Sequence, residues 1–131
     1  MNPNNPQHWF IKADRDLGLA NLASIHTPGY PDLICYHCQQ AAEKFLKALV
    51  VHHKLPLRKT HDLEQLLDIL SSSEPSIDPS FYDEALKIKN YAVGIRYPDP
   101  AGDPTPEDVA EALASAVFFR DFAKGVLGIS E

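Results

Sequence analysis

Apolar residues along this chain recur at intervals of three and four positions, the spacing of one helix face, and no segment alternates as a strand would. Proline and glycine divide the pattern into five helical blocks. The first runs from Pro6 to Ser24, with Trp9, Ala13, Leu17, Ala20 and Ser24 on one face. Asn5 is placed to cap it, Pro6 suits the first helical position, and the run Thr27, Pro28, Gly29 ends it. The second and longest runs from Pro31 to Lys54. Ile34, Cys38, Ala41, Phe45, Ala48, Leu49 and His52 form its apolar stripe, with Gln39, Gln40, Glu43, Lys44 and Lys47 off or beside it. Pro56 stops this helix.

A short third block, Asp62 to Leu70, carries Leu63, Leu66, Leu67 and Leu70 in the i, i+3, i+4, i+7 pattern. Asp62 with Gln65 has the form of a capping box, and Thr60 is a rival cap. The fourth block, Pro79 to Val93, starts from Asp78 and turns Phe81, Ala85, Ile88 and Ala92 inward. A stiff loop follows, since Pro98 bars Tyr97 from helical backbone. The fifth opens on Thr105, Pro106, Glu107 and Asp108, faces Val109, Leu113, Ala116, Phe119 and Ala123 inward, and ends at Gly125 and Gly128. These blocks predict an all-α fold: an antiparallel four-helix up-and-down bundle with one additional short helix.

Composition narrows the function classes. The 131 residues fit one domain, residues 1–131, and no apolar run reaches the length of a bilayer span. The start, MNPNNPQHW, lacks a basic segment and an apolar stretch, so a cytoplasmic location is expected. A formal net charge of −6 argues against a general nucleic-acid coat protein while leaving room for one focused basic pocket. Cys35 and Cys38 have C-x-x-C spacing, but no further ligands stand near enough for zinc, and small buried helix residues are expected. No cofactor or metal motif is present; a glycine-rich phosphate loop and a Gly-x-Ser-x-Gly turn are both missing.

Three local patterns follow one another along the chain. The run from Tyr36 to Leu49, YHCQQAAEKFLKAL, lies on the second helix; Lys59, Thr60, His61, Asp62 and Leu63 open the third; Arg96, Tyr97, Pro98 and Asp99 follow the fourth. Together they resemble the HEPN domain, over nearly the whole chain. The resemblance implies a helical bundle that forms a homodimer and associates with nucleotides or RNA. It also implies a partner, since many such domains pair with a minimal nucleotidyltransferase as a toxin–antitoxin couple. Active members are metal-independent ribonucleases that use an arginine and a histidine a few residues later, brought together across the dimer. Arg96 matches that arginine by its place, but Ala101, Gly102 and Asp103 stand where the histidine falls, and Tyr97 adjoins the arginine instead of following that histidine.

Several side chains are candidates for a site. Arg96 can grip a phosphate while Tyr97 stacks on a base, or it can pair with Asp99 to brace the loop. His61 can stand in as general base, imidazole being the side chain that ordinarily exchanges its proton near neutral pH, or it can serve the start of the third helix. Lys59 can aid phosphate binding or remain a solvated loop lysine. Lys47 can add a phosphate contact or support its own helix by pairing with Glu43 at i, i+4. The sequence thus carries three functional readings: a nucleotide- or RNA-binding dimer, a metal-independent endoribonuclease using Arg96 with His61, and a helical protein-interaction module.

Overall fold

A computed structural model describes residues 1–88 and 102–130, and among these the only regular elements are helices. They are α1 (Pro6–His26), α2 (Pro31–His52), α3 (Leu63–Leu70), α4 (Pro79–Leu86) and α5 (Pro106–Leu127). The fold is all-α, and the helix contacts fit the four-helix bundle arrangement. The short connection 27–30 turns α2 back along α1, and α2 makes its largest contact with α1 and its next largest with α5.

Helix starts follow local chemistry. The Asn5 side chain accepts from Gln7 N–H, Asp78 from Ser80 N–H, and both α1 and α4 have proline in their first turn. Thr105 and Asp108 form a reciprocal capping box at α5, satisfying two N–H groups that the helix itself leaves unpaired. At α3 the cap is Asp62, accepting from Glu64 N–H at 2.9 Å. The expected box with Gln65 does not form: Gln65 instead accepts from the Thr60 hydroxyl at 2.9 Å, while that hydroxyl accepts from Asp62 N–H at 3.1 Å. Both Thr60 and Asp62 therefore shape this start.

Three expectations change on packing. On α1, Phe10, Ala13, Leu17 and Ala20 are buried, so the inward face is rotated from Trp9 toward Phe10. Phe10 lies 5.1 Å, centroid to centroid, from Phe45 of α2, while Trp9 sits at the edge with its indole N–H on the Pro3 carbonyl. On α2, His52 is exposed, because the helix ends there: Lys54 adopts the left-handed region at φ 57, and Leu55 N–H reaches back to the Val50 carbonyl. On α5, Gly125 lies inside the helix, which continues because Val126 and Leu127 pack on the core; Gly128, at φ 68, ends it.

The core is aliphatic at its centre and aromatic at one side. Ala13 and Ala20 of α1 and Ala41 and Ala42 of α2 are fully buried; such small side chains let helices approach closely. The four leucines of α3 are at most 1% exposed, and each such burial is worth roughly 1.5–3 kcal/mol. Phe81 of α4 meets Phe118 and Phe122 of α5 edge-on at 4.9 and 4.8 Å. Arg120 of α5 donates to Asp14 of α1 at 2.7 Å. No described helix is long and apolar enough to cross a membrane.

Candidate functional site

Helix α2 has neighbours on several sides, so it buries more of its circumference than one stripe. Gln39, Glu43 and Lys47, spaced one turn apart, form a row that is 2%, 3% and 7% exposed. The sequence reading placed these polar residues off the apolar stripe; the fold encloses them. An ionised carboxylate in such a place is costly unless paired and hydrogen-bonded. Glu43 meets both conditions. Its Oε2 accepts from Lys47 Nζ at 2.9 Å, and its Oε1 takes His61 Nδ1 at 2.8 Å. Gln39 Nε2 donates to the His61 carbonyl at 3.1 Å and lies 3.5 Å from Glu43 Oε1; its own Oε1 accepts from Gln40 Nε2 at 2.8 Å. Among the described residues no buried side-chain nitrogen or oxygen lacks a partner.

This network joins the first two sequence patterns. The glutamine-glutamine-alanine-alanine-glutamate-lysine run holds the loop before α3 by both the backbone and the ring of His61. The result is an oriented imidazole. Because the Glu43 carboxylate can only accept, the facing Nδ1 carries a proton. In the neutral ring Nε2 is then the free lone pair, and the His61 side chain is 73% exposed. A buried carboxylate thus presents an accessible ring nitrogen, an arrangement suited to accepting a proton or, once protonated, to meeting an anion.

The loop leading to His61 is basic in sequence. The connection from α2 to α3 carries His53, Lys54, Arg58 and Lys59 before the first carboxylate, Asp62. His53 is engaged by Glu74 at 2.7 Å. Arg58 and Lys59 are exposed and have no ion pair among the described residues. Thr60 N–H bonds to the Arg58 carbonyl at 2.9 Å, curling this stretch. A protein of net charge −6 therefore concentrates positive groups on one loop.

Of the residues singled out from sequence, the structure brings His61 and Lys47 to the two oxygens of Glu43 and leaves Lys59 exposed two positions from His61. Arg96, Tyr97 and Asp99 lie outside the described residues. Sequence reasoning missed Gln39 and Glu43 as members of the site. Their signal was the polar row at i, i+4, i+8 through Lys47, which a surface helix and a polar-cored one share.

Cys35 and Cys38 are buried and are not joined in a disulfide. Burial, with Cys35 beside it, pushes the Cys38 thiol up to about 12, an inert structural thiol. Among the described residues no group of three or more histidines, cysteines or carboxylates is placed to hold a metal.

The fold and site define a small helical domain whose central helix buries a polar row that anchors a basic loop. The HEPN domain family model matches residues 6–126. The chain belongs to the HEPN family. It is similar in structure to the archaeal HEPN homologue ST0689, with 25% identity and a TM-score of 0.71 over 95% of this chain and 98% of that one. It is also similar to TT1696 from Thermus thermophilus, with 25% identity and a TM-score of 0.78 over 93% and 98%. A search of the curated proteins found no match to this chain.

Proposed function

We propose that this HEPN domain binds a nucleotide or RNA as a homodimer, through the α2–α3 loop, and partners a minimal nucleotidyltransferase in a toxin–antitoxin type pair. The observation that carries the binding reading is the exposed His61, held by buried Glu43 beside Arg58 and Lys59, which have no ion pair among the described residues. Charge-assisted contacts from such groups favour phosphate. In this reading Arg96 adds a guanidinium to the same ligand, with Tyr97 stacking on a base. Family membership supports the homodimer and the partner.

The test is RNA and nucleotide binding at two salt concentrations, for wild type and for Lys59→Ala, His61→Ala and Arg96→Ala, with the assembly state measured by light scattering. Lys59→Ala should weaken binding and make its salt dependence shallower. Wild type that binds neither RNA nor nucleotides, while holding a tight protein partner, would favour the protein-interaction module instead.

A second reading, metal-independent endoribonuclease, is favoured by the Glu43–His61 pair. His61 Nε2 would take the proton of a ribose 2′-hydroxyl, whose oxygen attacks the adjacent phosphorus as the 5′-oxygen leaves and takes a proton from water, giving a cyclic phosphate and a 5′-hydroxyl. Arg96 would stabilise the developing charge. Cleavage in chelator that is lost in both His61→Ala and Arg96→Ala would establish it; no cleavage across several RNAs would leave the binding reading alone.

A further inference from the structure

The segment before α1 folds back on the first turns of that helix. Asn5 N–H bonds to the Asn2 carbonyl at 3.1 Å, Asn4 N–H to Asn2 Oδ1 at 2.9 Å, and Asn2 N–H to His8 Nδ1 at 2.7 Å. The Trp9 indole N–H donates to the Pro3 carbonyl at 2.8 Å, which fixes the ring's orientation. These contacts shape a cavity of about 380 Å³ lined by Met1, Asn2, Pro3, His8, Trp9, Lys12 and Lys44. That volume falls in the range of small-molecule sites.

The lining combines one flat aromatic surface with nitrogen donors. Lys12 is exposed and has no partner among the described residues. His8 Nδ1 accepts from Asn2, so its ring proton sits on Nε2, a further donor. Lys44 is engaged by Asp16 at 2.5 Å, and Asp16 also takes His37 Nδ1 at 3.1 Å, so that carboxylate is already satisfied from two sides. Lys47 Nζ stands 5.8 Å from the Trp9 ring centroid while bonding Glu43, so the cavity adjoins the polar row that positions His61. A rigid indole beside one free ammonium, that of Lys12, and the His8 ring N–H suits a ligand that is planar at one end and anionic at the other.

From this we infer that the Trp9–Lys12 cavity is a nucleotide-binding subsite: the nucleobase stacks on Trp9 and its phosphate meets Lys12 and His8. The inference rests on the proposed nucleotide-binding reading and adds a base-binding locus away from the α2–α3 loop. The shared chemistry is a nucleobase carrying phosphate, free or within an RNA strand.

The chain has a single tryptophan, so its emission reports on the surroundings of Trp9. The experiment titrates the full chain with ADP, adenosine, pyrophosphate and an adenosine tetranucleotide. Variants Lys12→Ala and Lys59→Ala are followed the same way, and Trp9→Leu by calorimetry, with circular dichroism verifying that each is folded. Saturable quenching by ADP or by the tetranucleotide is expected, with adenosine weaker and pyrophosphate ineffective. The ligand that binds more tightly identifies the source and supports the cavity either way. Lys12→Ala should raise the Kd about tenfold, the loss of one charge-assisted contact, and Trp9→Leu should abolish measurable binding. Binding that survives in both variants but fails in Lys59→Ala would overturn the cavity and keep the loop reading. Quenching by pyrophosphate equal to that by ADP would overturn base stacking. No quenching by either nucleotide, with RNA binding intact in the assays above, would overturn the cavity alone.

Discussion

Replacing Glu43 by leucine removes the acceptor on which the buried row converges. Lys47, 7% exposed, would lose its carboxylate at 2.9 Å, and His61 its partner at 2.8 Å. Removing one member of a buried ion pair costs about 3–5 kcal/mol, because the remaining charge stays desolvated. Two features place this site at the lower end. The Lys47 ammonium keeps its position near the Trp9 ring, a contact worth about 0.5–2 kcal/mol. The Gln39 bond to the His61 carbonyl does not depend on Glu43. We therefore expect about 3 kcal/mol for Glu43→Leu, a large share of the roughly 5–15 kcal/mol available to a domain. Lys47→Met alone leaves the buried carboxylate with only His61 Nδ1 and Gln39 facing it and should cost a similar amount, whereas the double variant, with neither charge buried, should recover about 2 kcal/mol relative to the sum of the singles. Urea unfolding followed by far-UV circular dichroism measures all four proteins. A Glu43→Leu loss below about 1 kcal/mol, or additive singles, would refute the claim that the pair is buried and mutually dependent.

Three further outcomes follow from particular contacts. Thr105→Ala should destabilise by about 1 kcal/mol, seen as a lower urea midpoint with unchanged slope, since it opens the capping box of α5. A thiol reagent at mildly alkaline pH should leave Cys35 and Cys38 unlabelled in the native protein and label both after unfolding, because both are fully buried and Cys38 is held near 12. Tyr82 donates to Asp68 at 2.5 Å, and that bond, with some desolvation and the charge of Asp68, raises its phenol from 10.0 to about 12. Its protonated form is the one the fold favours, so this contribution is complete below pH 10 and is lost as pH rises toward 12. Ultraviolet titration should show a late tyrosine component that disappears in Tyr82→Phe.

The helices were legible because their signals are local. Asn5, Asp78 and Thr105 cap α1, α4 and α5 through side chains two or three residues from the bonds they make, and the proline after each already carries a helical φ. The leucine pattern of α3 needs only one apolar neighbour to be correct. The family resemblance was legible for a related reason: its motifs are short runs of neighbouring residues. The site was legible only in its parts. His61, Lys47 and Lys59 could be named as candidates from their chemistry, and Arg96 from its place after the fourth block.

What tertiary structure decided is which polar residues are enclosed. A polar row at i, i+4, i+8 has the same pattern on a solvated helix as on a central one. That Gln39, Glu43 and Lys47 are buried depends on α1 and the start of α3 covering their side of α2. Likewise Trp9 and Phe10 are adjacent and both aromatic, and the choice of Phe10 for the core follows from Phe45 opposite it and from the Pro3 carbonyl that takes the Trp9 N–H. Sequence alone determined where helices begin and which side chains can carry charge. Only the packing of α2 among its neighbours turned Glu43 from a surface partner of Lys47 into the buried group that aims His61, because desolvation is a property of the surroundings and not of the residue.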